Sequence, residues 1–205
     1  MMDLHAPHED ILTFWFGEER DEHGWPPAGI TRGWFQSSPA RDADIEARFG
    51  DRVRAALERE LVDWEREAGS RLALILLLDQ FTRNIYRGSA DAFAGDHRAA
   101  TLCLEGLSTG QERRLDWPGQ VFFYMPLMHA EDEDLQNRAV GCYRDLCERV
   151  PEALRPHIEE NLRFAEEHRD IIRRFGRFPH RNQALGRESS AEELTFLETA
   201  KWYGQ

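Results

Sequence analysis

The sequence predicts an all-α protein of about seven to nine helices, packed as antiparallel helical hairpins. Two observations support this fold class. Apolar residues recur at helical spacing, and between Ile45 and Trp64 they follow one another every three or four positions. In addition, no segment shows the alternation of apolar and polar residues that is typical of a half-buried strand.

The stretch from Ser70 to Gly88 is predicted to form the central element of the fold. It begins with an unbroken apolar run, Leu72 to Leu78, which is too short to span a bilayer and must be buried on nearly every side. Polar residues follow immediately: Asp79, Gln80, Thr82, Arg83 and Asn84. We therefore expect this stretch to carry polar groups to the edge of a buried core.

Helix start and stop signals predict the remaining elements. Residues 18–39 are rich in proline and glycine and are predicted to form a loop, with three aromatic residues packed back on the body: Trp25, Trp34 and Phe35. Ser70 is expected to cap the central helix, and Pro126 is expected to bend its helix or to end the first half of it. In chain order, the other predicted helices cover residues 7–17, 38–64, 92–107, 116–128, 131–150, 156–175 and 190–197.

The length predicts a single domain over residues 1–205. This domain would consist of two pseudo-repeated halves, of about 40–110 and 111–200. The net charge of −12 argues against a nucleic-acid partner, because phosphate binding needs a basic excess. The polar, acidic N-terminus does not resemble a secretory signal, so we expect a cytoplasmic protein without a membrane partner. The oligomeric state stays open.

Two segments of the chain echo each other. Phe81, Arg83, Asn84 and Gly88 recur in the same order as Phe178, Arg181, Asn182 and Gly186. Both segments follow a long apolar helix and precede a capped one. A duplicated helix–loop–helix unit would explain the echo. A shared turn, in which asparagine and glycine accept the left-handed conformation, would explain it equally well.

Several polar residues invite a functional interpretation. Asp79 needs a partner if it is buried and charged, and Arg83, four residues later, lies on the same helix face. That pair either stabilises the end of the helix or places a carboxylate beside a ligand. His168 points along the apolar side of its helix, where it is either a core histidine or a third member of the site. His129, Glu131 and His180 would complete such a cluster.

The loop after residue 176 holds the densest group of donors in an acidic chain: Arg177, His180, Arg181, Asn182 and Arg187. Arginines of this kind bind an anion, or else they pair with the protein's own carboxylates. We predict no metal and no cofactor, because the histidine spacings match no metal motif and no glycine-rich nucleotide motif is present. The cysteines, Cys103, Cys142 and Cys147, lack C-x-x-C spacing and are predicted to be small buried side chains.

Four strings cover most of the chain and resemble one bacterial family: FWFG, LALILLLDQFTRNIYRGSADAF, FFYMPLMHAEDEDLQ and IIRRFGRFPHRNQALGRESSAEELTFL. The family is called domain of unknown function 924. The resemblance implies a tetratricopeptide-like, all-helical fold with right-handed stacking, and it implies no activity. Family members usually have proline at the position of Thr82 and commonly have serine at the position of Ala130.

Three functional hypotheses follow. The first is a tetratricopeptide-like binding module with a polar cleft for a small anionic or peptide-like ligand. The second is an enzyme in which His168 or Asp79 is the general base and arginine and asparagine side chains stabilise negative charge. The third is a purely structural role for the polar cluster. The candidate ligand-binding residues are Asp79, Gln80, Arg83, Asn84, His129, Glu131, His168, Arg177, His180, Arg181 and Asn182.

Overall fold

The computed structural model describes residues 8–36 and 38–199. None of these residues lies in a β-strand, and the all-α prediction is confirmed. The helices are α1 (Glu9–Phe16), α2 (Ala28–Phe35), α3 (Pro39–Leu57), α4 (Ala68–Leu76), α5 (Thr82–Ile85), α6 (Asp96–Thr109), α7 (Trp117–His129), α8 (Glu133–Arg149), α9 (Arg155–Phe175) and α10 (Ala191–Leu197). A π-helical turn, Leu77–Phe81, joins α4 and α5 into one continuous helix.

This continuous helix lies at the centre of the fold, as predicted. Every residue from Ser70 to Thr82 is buried, and helices α1, α3, α6 and α7 pack against it. Burial on all sides explains why the run from Leu72 to Leu78 has no polar face. Within the described part of the chain, no helix has the length and apolar character that crossing a membrane requires.

Helix α7 is the second buried helix. All residues from Pro118 to Met128 are buried, and the neighbouring helices are α4, α6, α8 and α9. Of the two alternatives for Pro126, an end to the first half of the helix is wrong, because α7 continues to His129. Pro126 removes one N–H donor, but the burial of apolar residues on both sides of it outweighs that loss. Helix α7 therefore carries His129 from the core to the candidate site.

Two predicted boundaries differ from the structure. Residues 18–39 are not wholly a loop, since α2 follows an extended Pro27. Trp25 and Trp34 pack into the core as expected, and the indole of Trp34 donates a 2.8 Å hydrogen bond to the Trp15 carbonyl. Phe35 packs back only in part, because its ring stacks on that of Phe122 at 6.2 Å while the residue is 61% exposed.

The helix that begins after Ser38 is shorter than predicted, because α3 ends at Leu57. Arg59 has a φ of 62°, in the left-handed region, and its N–H and the next one donate back to the last turn and close the helix. Ser70 does not cap α4, because it lies inside the helix and its hydroxyl donates to the Trp64 carbonyl at 2.8 Å. The tetratricopeptide-like stacking and the two pseudo-repeated halves stay predictions.

Candidate functional site

Asp79 is fully buried in the π-helical turn between α4 and α5. Its Oδ1 atom lies 2.7 Å from Nδ1 of His129 and 3.3 Å from a guanidinium nitrogen of Arg83. Its Oδ2 atom accepts a 2.6 Å hydrogen bond from the amide of Gln80. Burial alone would raise the pKa of Asp79, but His129 and Arg83 lower it below its ordinary value, so the carboxyl group is ionised.

The irregular turn that holds Asp79 was not predictable from the sequence, which reads as continuous helix. A π-helical turn interrupts the ordinary pattern of backbone bonds, and such turns occur frequently at functional sites. Thr82 stabilises the turn, because its hydroxyl donates a 2.9 Å hydrogen bond to the Leu78 carbonyl. The turn directs the neighbouring side chains of Asp79 and Gln80 toward α7, where His129 and Met125 receive them.

Arg83 has a second acidic partner that sequence reasoning missed. Its guanidinium makes two hydrogen bonds, of 2.8 Å and 3.0 Å, to the carboxylate of Asp96, and Arg181 donates a third of 3.1 Å. Burial opposes the charge of Arg83, but Asp96 and Asp79 raise its pKa above its ordinary value. Burial lowers the pKa of Arg181 to about 10. Both arginines are therefore protonated at neutral pH, and Asp96 binds them together.

Gly95 brings Asp96 into this position. A Cβ atom at Gly95 would lie 2.2 Å from the carbonyl oxygen of Leu78, so the backbone before α6 touches the π-helical turn directly. The adjacent Asp96 is then within reach of Arg83. In the sequence, an acidic residue at the first position of a helix is an ordinary signal of the helix dipole, and it did not indicate an arginine partner.

The two echoing segments meet at Asp96. Arg83 and Arg181, which occupy matching places in the echo, both bind this carboxylate. The matching glycines, Gly88 and Gly186, have φ values of 78° and 64°, so both lie in the left-handed region as the shared-turn interpretation expects. These angles are equally compatible with duplication.

The matching asparagines make different bonds. Asn84 donates a 2.8 Å hydrogen bond to Asp42 on α3, and Asp42 also binds Arg87. Asn84 therefore belongs to a separate polar contact between α3 and α5. Asn182 accepts a 3.0 Å hydrogen bond from Arg187. The structure thus does not bring Asn84 into contact with Asp79, although the sequence places them five residues apart.

His168 is 6% exposed, and its Nδ1 atom lies 2.7 Å from the carbonyl of Phe164. Its ring centre is 6.3 Å from that of His129 and 5.5 Å from that of Phe178. Burial lowers the pKa of His168 to about 3 and that of His180 to about 4, with neighbouring positive charge adding to the effect. Both imidazoles are therefore neutral at pH 7, and His168 is held by a backbone bond and not by Asp79.

These buried histidines predict a loss of stability in mild acid. The unfolded chain protonates His168 near its ordinary pKa of 6.5, whereas the folded chain does so only near 3. Stability therefore falls as the pH drops below about 6.5, by about 2 kcal/mol between roughly pH 7.5 and pH 5 for His168 alone. Urea unfolding at the two pH values measures this change.

The variant His168→Gln keeps an amide donor for the Phe164 carbonyl but cannot titrate. We expect it to show a smaller loss of stability over the same pH range. His97→Gln is the matched control, because His97 is exposed on α6 and its replacement should leave the pH dependence unchanged. Equal losses of stability over this pH range for His168→Gln and the unsubstituted protein would contradict the prediction that His168 causes the pH dependence.

The remaining predicted arginines bind the protein's own acids. Arg187 makes a two-pronged pair with Glu131, at 2.6 Å and 2.8 Å, and Glu131 also accepts from the backbone N–H of Phe178. Arg177 makes a similar pair with Glu193, at 2.7 Å and 2.8 Å. These bonds attach the loop after α9 to the α7–α8 connection and to α10. They agree with the interpretation in which the arginines neutralise internal carboxylates.

A groove beside this loop has a volume of about 520 Å³. We call it the C-terminal groove, and it is lined by Pro179, His180, Gln183, Arg187, Glu188, Ser189, Leu194 and Leu197. Of the candidate binding residues, His180 lines it, whereas Asp79, Arg83, His168 and Arg181 do not. Within the described residues, no group of three histidine, cysteine, aspartate or glutamate side chains is arranged to hold a metal ion.

Comparison with known proteins decides the family. The profile of a family described as bacterial proteins of unknown function, DUF924, matches residues 11–201. The chain belongs to the DUF924 family. Among solved structures, this DUF924 protein is similar to a protein of unknown function from Agrobacterium tumefaciens, with 39% identity, a TM-score of 0.78, and coverage of 97% of this chain and 100% of the other. No curated protein matches it.

Proposed function

We propose that this DUF924 protein is a tetratricopeptide-like binding module whose C-terminal groove holds a peptide-like ligand. The groove itself carries the proposal. Its volume of about 520 Å³ lies within the range of ordinary ligand clefts. Leu194 and Leu197 line it with apolar groups, and Gln183 and Ser189 add polar groups that suit a peptide backbone.

The charges at the groove favour a peptide-like ligand over an anionic one. Arg187, which lines the groove, is already paired with Glu131, and Glu188 adds a negative charge to the lining. His180 carries no charge at neutral pH, since its pKa is lowered to about 4. An anion would therefore meet no unbalanced cation among these groups.

The buried network around Asp96 fits a structural role. Asp79 and Arg181 are buried and Arg83 is largely buried, all away from the groove. Their bonds join the π-helical turn, the start of α6 and the loop after α9. The enzyme hypothesis with Asp79 or His168 as the base has weaker support. Asp79 is ionised but fully enclosed, and Nδ1 of His168 is occupied by a backbone carbonyl.

Peptide selection tests the binding proposal. A phage-displayed random-peptide library is selected against the whole protein, and the affinity of a recovered synthetic peptide is measured by fluorescence anisotropy. Leu194→Asp places a charge in the groove and is expected to weaken binding at least about tenfold. Leu104→Asp on α6 is the matched control, because Leu104 is also partly exposed, at 38%, and does not line the groove.

Failure to select any peptide, or equal affinity for Leu194→Asp and the unsubstituted protein, would contradict the proposal. Inorganic phosphate tests the anionic alternative at constant ionic strength. We expect no phosphate-dependent rise in the melting temperature. A rise that disappears in Arg187→Met would instead favour an anion at the groove.

A further inference from the structure

The pair formed by Asp79 and His129 has the geometry of an oriented base. The carboxylate of Asp79 is ionised and can only accept hydrogen bonds, so the Nδ1 atom of His129, 2.7 Å away, must carry the proton. When His129 is neutral, its other ring nitrogen, Nε2, is the unprotonated one. Among the described residues, none makes a hydrogen bond to Nε2 of His129.

The two members of the pair differ in exposure. The side chain of Asp79 is 0% exposed, whereas that of His129 is 14% exposed. Solvent or a small molecule can therefore reach the imidazole but not the carboxylate. His129 lies at the end of α7, and Gln136 fixes the chain there by donating hydrogen bonds of 2.7 Å and 2.8 Å to the carbonyls of Met128 and Ala130.

Asp79 has other partners besides His129. Gln80 already occupies Oδ2, and Arg83 supplies a positive charge 3.3 Å from Oδ1. The reverse is not true, because Asp79 is the one described group that fixes the ring orientation of His129 by a hydrogen bond. In catalytic sites with such a pair, the buried carboxylate selects the tautomer of the histidine and stabilises its protonated form.

We propose that His129 is a general base that activates water to hydrolyse a neutral acyl compound, such as an ester. Among the described residues, no serine, threonine or cysteine side chain hydrogen-bonds to His129, and the adjacent residue is Ala130, so the proposal assigns the O–H group to water. In the reaction, Nε2 takes a proton from water while the water oxygen bonds to the acyl carbon. The bond to the leaving group then breaks, and the proton returns from Nε2 to that group or to solvent.

The charged surroundings suit this proton transfer. The imidazolium that forms keeps its Nδ1–H bond to the Asp79 carboxylate, which stabilises the new charge. Glu131, on the α7–α8 connection, is an acidic neighbour of His180, and Arg83 and Arg181 are cations beside Asp79 and His180. His168 and His180 are neutral, so they add no repulsion at pH 7.

Hydrolysis of p-nitrophenyl acetate tests the proposal with the full chain. His129→Gln retains an amide donor for Asp79 but has no basic nitrogen. We expect it to lower kcat/KM at least about tenfold. His97→Gln, which removes an exposed histidine on α6, should leave kcat/KM unchanged.

A solvent deuterium isotope effect separates this role from the alternatives. General-base attack by water requires a slower rate in D₂O, whereas direct attack by the imidazole gives an acyl-enzyme and little isotope effect. An acyl-enzyme with little isotope effect would overturn the proposal. Equal kcat/KM for His129→Gln and the unsubstituted protein would overturn it as well. Asp79→Asn should also reduce the rate. The double variant Asp79→Asn/His129→Gln should have the same melting temperature as Asp79→Asn alone.

Discussion

Replacement of Asp96 by alanine is expected to lower the free energy of unfolding by about 3–5 kcal/mol. Asp96 is the carboxylate that two largely buried arginines share, with hydrogen bonds of 2.8 Å and 3.0 Å from Arg83 and 3.1 Å from Arg181. Without it, Arg181 is left as an uncompensated charge that is 5% exposed. Urea unfolding at neutral pH measures the loss.

Asp91→Ala is the matched control for this prediction, because Asp91 is an exposed acid in the same connection before α6. Its replacement should change stability by less than about 0.5 kcal/mol. A triple variant that replaces Asp96 by leucine and both Arg83 and Arg181 by methionine should recover much of the lost stability, since it leaves no charge unpaired. A loss below about 1 kcal/mol for Asp96→Ala would contradict the assigned role.

Replacement of Gly95 by alanine is expected to destabilise the fold by about 3 kcal/mol or more. The added Cβ would lie 2.2 Å from the carbonyl oxygen of Leu78 and 2.9 Å from two other backbone atoms of that residue. Backbone atoms cannot rotate away as a side chain can. Either the π-helical turn or the start of α6 must therefore move, and Asp96 moves with it.

Gly141→Ala provides the matched control. Gly141 lies inside α8, and a Cβ there would meet no atom within 4 Å. Because alanine favours the helix over glycine, this variant should be more stable by about 0.5–1 kcal/mol. Equal unfolding energies for Gly95→Ala and the unsubstituted protein would show that the close approach of α6 to the turn is not required.

The sequence predicted the centre of the fold well because the cause is local. A run of apolar residues as long as Leu72–Leu78 has to be buried, and start signals such as Ser190, which makes a full capping box with Glu193, depend on residues three positions apart. Boundaries were harder to predict. The left-handed Arg59 that ends α3 carries no glycine signal, and α2 lies in a segment whose prolines and glycines suggested a loop.

The candidate site was predicted in part. The pairing of Asp79 with Arg83 followed from their spacing on one helix, and the structure has it at 3.3 Å. His129 was proposed only as one of several additional members, yet it makes the shortest contact with Asp79 from another element, at 2.7 Å. Which of these residues bind a ligand stays a prediction.

By itself, the sequence determined that the chain is helical, which helix is central, and that polar groups follow its apolar run. These features depend on burial and on contacts between residues close in sequence. Only the tertiary structure decided the partners of those polar groups. Asp96 reaches Arg83 and Arg181 because Gly95 lets two backbones touch, and His129 reaches Asp79 because α7 continues past Pro126. Contacts between distant segments depend on how helices pack, and no local pattern in the sequence records that packing.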